Sequence, residues 1–403
     1  MIELGVVDLE GKIRTRSSFL PLEKIKEFGF DGSSIGLASI EDSDLLAKAD
    51  LSKVYRFKTM NEEVEFYFCN IFKNENQYEL DLRRFYTNFF ANFPFKVNVG
   101  FELEFYIIGK NEENGKYMFP FPVDKEKFLI RNLMKALNEL GFKPIMEHSE
   151  VGEGQHEIVV EKEEASSVAD KITFFKYFLN VFFFERGKQI TFMPKPFYGL
   201  AGNGMHIHLS LEKNGRKISF LSSEEGKSFL EGILAHIKEI TLFLNPSVNS
   251  YKRLVPGFEA PCYISWGIGN RSTLVRIPNY RKGDEFRIEV RSPDPLANPY
   301  LAIVLLVSAG LDGIENKLKI RNALNENAYH KNELETLPGS LKESIEEAKK
   351  SEFVKKVLGN IAEIFIKRKE KEWKEYEEFC RKKNILPETK EITEWEKKKY
   401  LYC

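Results

Sequence analysis

Gly100-Phe101-Glu102-Leu103-Glu104-Phe105 is an apolar, aromatic-flanked run with two acids spaced two apart. It reads as a β-strand. Successive strand side chains point to opposite faces, so Glu102 and Glu104 project from the same one. Two like charges side by side on a half-buried face are costly unless a cation lies between them. Three further turn-bounded segments repeat the theme. In Glu150-Val151-Gly152-Glu153-Gly154-Gln155-His156-Glu157, glycines bend the backbone and bring Glu150 and Glu157 into one loop region. Gly204-Met205-His206-Ile207-His208-Leu209-Ser210 alternates so that both histidines and the serine share a face. Arg287-Ile288-Glu289-Val290-Arg291 has the same period of two.

Singly, each motif has an ordinary explanation. An E-x-E on a strand is most often a solvated face, an H-x-H a packed pair, and Arg-x-Glu-x-Arg a cross-strand ion-pair ladder. Together, Glu102, Glu104, Glu150, Glu157, His206 and Glu289 offer five carboxylates and one imidazole. That hard donor set suits two Mg²⁺ or Mn²⁺ ions, and the scarcity of cysteine argues against zinc. The four segments are far apart in the chain and separated by helical stretches. Strands converging on one concave sheet would collect them, which makes the fold α+β with a curved antiparallel sheet flanked by helices.

The 403 residues exceed one average domain and can bury a large core. Sixty basic and 61 acidic residues leave a net charge of -1, so no basic excess points to nucleic acid. Any anionic ligand must be held by a local arginine cluster. Cys69, Cys262, Cys380 and Cys403 are scattered without a C-x-x-C, which points to a reducing cytoplasm. Met1-Ile2-Glu3-Leu4 lacks a basic region followed by an apolar stretch, so no signal peptide is expected. The greasiest segment, Phe174 to Phe184, is interrupted by Lys176 and Asn180 and is too short to span a bilayer. It reads as a buried helix, and no membrane partner is expected.

Residues 1–78 alternate strand-like runs (Glu3 to Leu9, Glu65 to Phe72) with turns and form a small α+β domain. A larger domain, 79–403, begins with the helical pattern around Asp81. Asp124 is expected to cap a helix with the stripe Leu129, Leu133, Leu137 and Leu140, ended by Gly141. Asn298-Pro299 opens another helix, and Ser340-Leu341-Lys342-Glu343 reads as a capping box. The charged helical tail carries Phe365, Trp373, Tyr376 and Phe379 as a packed edge.

The segment 249–261 has two prolines and one glycine around a single acid, Glu259, and suits a loop that closes over a ligand. Arg253, Arg271, Arg276, Arg287 and Arg291 lie in or just beyond it. Their planar forks pair with carboxylate or phosphate, although Arg271 and Arg276 could simply neutralise buried acids. Two divalent cations with many arginines imply phosphoryl transfer from a nucleotide. The chain has neither a G-x-x-x-x-G-K-[ST] loop nor a kinase-type glycine loop, so metals and guanidinium groups must hold the phosphates.

In order along nearly the whole chain run FDGSSIG (30–36), GFELEF (100–105), FPFPVD (119–124), EVGEGQHE (150–157), FMPKPFYG (192–199), GMHIHLSL (204–211), NSYKRLVPGFEAP (249–261), NRSTLVRIP (270–278), RIEVRSPDPLANPYL (287–301) and LPGSL (337–341). By these motifs the chain resembles glutamine synthetase, in its bacterial and archaeal type I form. The resemblance implies a β-grasp-like N-terminal domain and ATP-dependent ligation of ammonia to the γ-carboxylate of glutamate through γ-glutamyl phosphate. It implies that Glu104, Glu150 and Glu157 bind one cation, and Glu102, His206 and Glu289 the other. Arg253, Arg271 and Arg291 match positions that hold the substrate carboxylate or the transferring phosphoryl group. His208, Ser210, Arg276 and Arg287 match nucleotide-side positions, and the Gly202 carbonyl one that meets the substrate ammonium. Asp31, Ser34, Tyr117, Glu150 and Glu259 match the ammonium site, with Asp31 as the base and Glu259 as the closing flap. The implied assembly is a homo-oligomer, a dodecamer of two stacked hexameric rings with active sites between subunits.

Three departures stand out. An asparagine expected beside the substrate is Ala201, the usual His-His-Glu is His148-Ser149-Glu150, and a lysine often found near the nucleotide is Asp284. The tyrosine that some relatives adenylylate has no match, since Tyr329 lies in a different context. Two rival readings follow: a related ligase joining glutamate to an organic amine, and a non-catalytic member of the family. Asp31 and Glu259 favour ammonia, the altered loop at Ala201 keeps the amine ligase open, and the full donor set argues against the non-catalytic member.

Overall fold

The computed structural model describes residues 1–109, 117–255, 260–331 and 333–402. Glu259, expected to close over the site, lies outside the described residues.

The N-terminal sheet is built on β6 (Glu63–Lys73). Beside it, β1 (Ile2–Val7) runs parallel to β6 and antiparallel to β2 (Ile13–Ser18). The other side of β6 pairs with β4 (Asp44–Ala49), which pairs in turn with β3 (Glu27–Asp31). Two short strands, β5 (Tyr55–Lys58) and β7 (Asn76–Gln77), also pair with β6, and α1 (Leu22–Ile25) precedes β3. This is the β-grasp arrangement. Its aromatic face packs on α4 (Ala165–Glu185): Tyr55 stacks on Phe174, Phe66 tilts against the same ring, and Phe57 meets Phe178 edge-on. The phenylalanine-rich run is therefore a buried helix, as its apolarity demands, and it serves two layers.

The second sheet has the strand order β15 (Trp266–Ile268), β16 (Val275–Ile277), β17 (Ile288–Val290), β13 (Met205–Lys213), β8 (Lys96–Ile108), β10 (Gln155–Val160), β9 (Pro144–Ser149). Short strands β11 (Glu163–Glu164) and β12 (Gln189–Thr191) also pair with β8, and β14 (Arg216–Lys217) with β13. All pairings are antiparallel except β15 with β16. The odd-numbered residues of β8 face α4, where Phe101 meets Phe175 at 5.5 Å and Phe105 meets Phe183 at 5.7 Å. Glu102 and Glu104 consequently project from the opposite, concave face.

Helices α2 (Leu82–Ala91), α5 (Glu224–Leu244) and α7 (Pro299–Glu315) complete the layer behind the sheet. Asp81 caps α2, and Asn298 caps α7 by accepting from the Tyr300 amide at 3.0 Å. The Asn298 side-chain amide also donates to the Leu9 carbonyl at 2.9 Å, tying the turn after β1 to the start of α7. Two expected caps differ. Asp124 accepts from the Glu126 amide at 3.1 Å and closes the preceding turn, while α3 (Lys127–Glu139) begins without a side-chain cap. Helix α3 buries Ile130, Leu133 and Leu137. Ser340 does cap α8 (Leu341–Lys350), yet the Glu343 carboxylate accepts from the Gly339 amide instead of Ser340's, so only half of the box forms.

A complete capping box occurs at Thr393 and Glu396 of α11 (Glu394–Tyr400), which follows α9 (Glu352–Leu358) and α10 (Asn360–Lys383). Glu396 is fully buried and also accepts from Asn249 and from Lys252 of the short α6 (Ser250–Arg253). The C-terminal helix thereby latches the segment that carries Arg253. Phe365, Trp373 and Tyr376 of α10 are buried, and Tyr376 meets Trp395 of α11 at 5.2 Å. Among the described residues, no helix is long and apolar enough to cross a membrane.

Candidate active site

Strand register assembles the acids. Glu102 of β8 lies opposite His206 of β13, and Glu104 lies opposite Glu157 of β10. Across β13 and β17, His208 faces Glu289, and Arg276 of β16 faces Glu289 from the other side. Directly opposed residues sit about 5 Å apart at Cβ, so the three Glu and His pairings place six ligand-type side chains on one patch. Among the described residues, three trios could each hold one ion: Glu102, Glu157 and His206; Glu102, His208 and Glu289; and His148, Glu150 and Glu157.

His206 Nδ1 lies 3.2 Å from Glu102 and 3.6 Å from Glu289, and His206 Nε2 lies 3.8 Å from Glu104. His148 bridges Glu150 at 3.2 Å and Glu157 at 3.1 Å. His208 Nε2 comes within 3.0 Å of Glu102, yet neither of its buried ring nitrogens makes a hydrogen bond. Glu104 is turned partly away from the patch, accepting from the Gly204 amide at 2.6 Å and from Gln155 at 3.3 Å.

So many carboxylates in one place cannot all ionise cheaply. Burial, then Glu104 and Glu157, push Glu150 up to about 8. Burial, then Glu102, Glu104 and Glu289, hold Glu157 well above the ordinary carboxylate range. Glu102 goes the other way: burial would raise it, but His208 and His206 outweigh burial and keep it ionised. Unbonded imidazole nitrogens beside mutually repelling carboxylates are the chemistry that divalent cations relieve, so the donor set fits the expected metals.

Arginines rim the patch. Arg276 donates to Glu289 at 2.5 Å, and Arg291 donates to the other oxygen of Glu289 at 3.1 Å. Arg253 is buried and donates to the carbonyls of Ser292 at 2.7 Å and Arg291 at 3.1 Å. Arg287 stands further out, 3.6 Å from Asp284, and Ser210 lies one step along β13 at its pairing with Asn98. Arg271 is exposed at the rim, with Tyr117 facing it. Tyr117 also lies edge-on to His148 at 5.4 Å.

Asp31 and Ser34 are not brought to this patch within one chain. Both are exposed at the end of β3, and among the described residues their side chains hydrogen-bond only within their own turn. Asp31 accepts from Ser34 and from the hydroxyl and amide of Ser33, which hold it down to about 2.

Sequence reading passed over four participants. Gln155 donates to the Gly202 carbonyl at 3.0 Å, to Asn203 at 3.1 Å and to Glu104, so it fixes the loop beside Ala201. Tyr106 donates to the Ala201 carbonyl at 2.7 Å. His148 was visible only as part of an altered motif, and Tyr280 carried no signal at all. Its hydroxyl accepts from both Arg271 and Arg276.

Comparison with known proteins agrees with this geometry. Residues 1–74 match the family described as glutamine synthetase, beta-Grasp domain, and residues 81–386 match glutamine synthetase, catalytic domain. The glutamine synthetase of Thermococcus kodakarensis is 40% identical, covering 99% of this chain and 95% of its own. That of Thermotoga maritima is 37% identical over 93% of this chain and 89% of its own. Among solved structures, a GmaS/ADP complex superposes with a TM-score of 0.86 at 28% identity, covering all of this chain and 96% of that one. Plasmodium falciparum glutamine synthetase gives 0.82 at 25% identity, covering 94% and 93%. The chain belongs to the glutamine synthetase family.

Proposed function

We propose that this protein is a type I glutamine synthetase, organised as domains 1–78 and 79–403, joining ammonia to the γ-carboxylate of glutamate at the expense of ATP. The carrying observation is the single patch of opposed Glu and His side chains ringed by arginines. Glu104, Glu150 and Glu157 would hold one Mg²⁺ or Mn²⁺, and Glu102, His206 and Glu289 the other; the ions supply Lewis-acid charge that offsets the phosphate oxygens.

The chain's own groups do the rest. Arg253 and Arg291 bind carboxylate, with the Gly202 carbonyl receiving the amino-acid ammonium. His208, Ser210, Arg276 and Arg287 orient the nucleotide in line with the attacking γ-carboxylate. Arg271 faces the phosphoryl group during transfer, where charge spreads over its oxygens. Asp31, with Ser34, Tyr117, Glu150 and Glu259, receives the proton of ammonium, and the released ammonia displaces phosphate from γ-glutamyl phosphate. Ser33 and Ser34 keep Asp31 ionised, the form able to accept that proton. Glu259 closes over the intermediate and keeps out water. Because Asp31 is exposed and bonded through its side chain to its own turn and not to the patch, it serves a neighbouring copy in a ring, the dodecamer of two stacked hexamers. Free, buried Cys69, Cys262 and Cys380 fit work in the reducing cytoplasm.

The test supplies ATP, Mg²⁺ and glutamate with ammonium or, in turn, a panel of organic amines, and follows phosphate release. Ammonium turnover well above every amine is expected. Faster turnover with an amine would favour the alternative ligase that Ala201 keeps open. Asp31→Ala should cost on the order of 10²- to 10⁴-fold in ammonium-dependent synthesis while leaving nucleotide affinity near wild type. Equal losses in both would contradict the base role.

A further inference from the structure

Tyr280 lies on the exposed segment between β16 and β17, and its side chain is 68% accessible. An exposed aromatic of this kind would ordinarily be free to move. Here its hydroxyl accepts from Arg271 Nη2 at 2.9 Å and from Arg276 Nη2 at 2.8 Å, and its ring lies under the Arg276 guanidinium at 5.1 Å. A phenol oxygen has two lone pairs, so one atom can take both donors. For the Arg271 guanidinium it is the only hydrogen-bond partner among the described residues. Arg276 is anchored at its other end by Glu289. The phenol therefore ties a loose, exposed arginine to a fixed, buried one.

Asp284 holds Tyr280 in place. Its carboxylate accepts from the Tyr280 amide at 2.7 Å and from the Arg281 amide at 3.1 Å, folding the segment back over the arginines. Gly283, at φ +98°, permits the bend.

We propose that Tyr280 is a positioning residue: held by Asp284, it converges the Arg271 and Arg276 forks on the phosphoryl group in transfer. The inference rests on the ligase reading. Oxygens of that group bear the most dispersed charge during transfer, so alignment of the two guanidinium groups counts then and little in the ground state.

The experiment compares the full-length wild type with Tyr280→Phe, Asp284→Ala and the double variant. Tyr280→Phe removes one exposed hydroxyl, so the thermal midpoint should not move. Its kcat should fall on the order of tenfold, with KM for ATP within about twofold. Asp284→Ala should give a similar loss, and the double variant should be no worse than Tyr280→Phe, because both changes undo one arrangement. A readout independent of turnover is affinity for MgADP with and without aluminium fluoride, a planar mimic of the phosphoryl group. Tyr280→Phe should weaken the fluoride complex about tenfold and leave MgADP alone within about twofold.

Unchanged kcat, or losses in kcat, KM and thermal midpoint together, would overturn the proposal while leaving the ligase reading intact. If the wild type makes no glutamine, the ligase reading fails separately, and the fluoride measurement still decides. Equal fluoride affinity in wild type and Tyr280→Phe would then end the proposal.

Discussion

Gly202 shows how closely the substrate side is fitted at the residue scale. A Cβ there would stand 2.6 Å from the Pro194 carbonyl oxygen and 2.7 Å from Arg253 Cγ. At Gly204 it would stand 2.7 Å from Arg253 Nη2 and from His206 Nε2. Two glycines thus let the buried Arg253 lie flat against the backbone that leads into β13. Gly202→Ala should cost about 1–3 kcal/mol in stability through overpacking and raise KM for glutamate by roughly tenfold or more, because Arg253 must move. Steady-state kinetics with varied glutamate and a thermal melt check both expectations; an unchanged KM would show that Arg253 does not bind the substrate. The same scale explains why the acids are spaced as they are. Glu150 and Glu157 are held high by their neighbours while Glu102 is held low by two imidazoles, so the patch divides its charge unevenly before any cation arrives.

At the scale of elements, register does the assembling. A one-residue slip of β13 against β8 would turn His206 and His208 toward the helices and scatter the patch. Behind the sheet, the helical layer is fastened by a polar contact of its own. His236 of α5 pairs with Glu239 at 2.6 Å and with Asp312 of α7 at 2.9 Å, and its ring stacks on Phe353 of α9 at 3.9 Å. Burial alone would lower the His236 pKa, but the hydrogen bonds to Glu239 and Asp312 outweigh it and raise it. The folded protein therefore holds this proton more tightly than the unfolded chain. The resulting stability is fully present below the unfolded imidazole value, near 6.5, and is lost as pH rises through the raised folded value. His236→Gln should lower the thermal midpoint by a few degrees at about pH 5.5, and the gap should close by about pH 9. A gap that widens with pH would show that the pair is held by packing instead of charge.

At the scale of the whole molecule, the residues proposed for the ammonium site fall in two places. The acid patch lies on the C-terminal sheet, whereas Asp31 and Ser34 sit exposed at the end of an N-terminal strand, and among the described residues their side chains hydrogen-bond only within their own turn. If copies complete each other, mixing Asp31→Ala chains with Glu157→Gln chains should restore activity that neither variant shows alone. No recovery in reassembled mixtures would mean that each chain builds its site unaided. Much of this was legible in the sequence. Period two in 100–105, 204–210 and 287–291 decided the strands and the faces of their acids, because strand geometry alternates whatever the surroundings. Asn298-Pro299 and Asp81 marked helix starts for the same local reason. The placing of Asp124, the half-formed box at Ser340 and the full one at Thr393 depended on neighbours brought in by packing. Which acid meets which histidine was settled by pairing between strands distant in the chain, His206 with Glu102 and His208 with Glu289, and such registers leave no local trace. The roles of Gln155, His148 and Tyr280 were hidden for that reason: they come from what tertiary folding sets beside them, and a side chain's own chemistry does not name its partner.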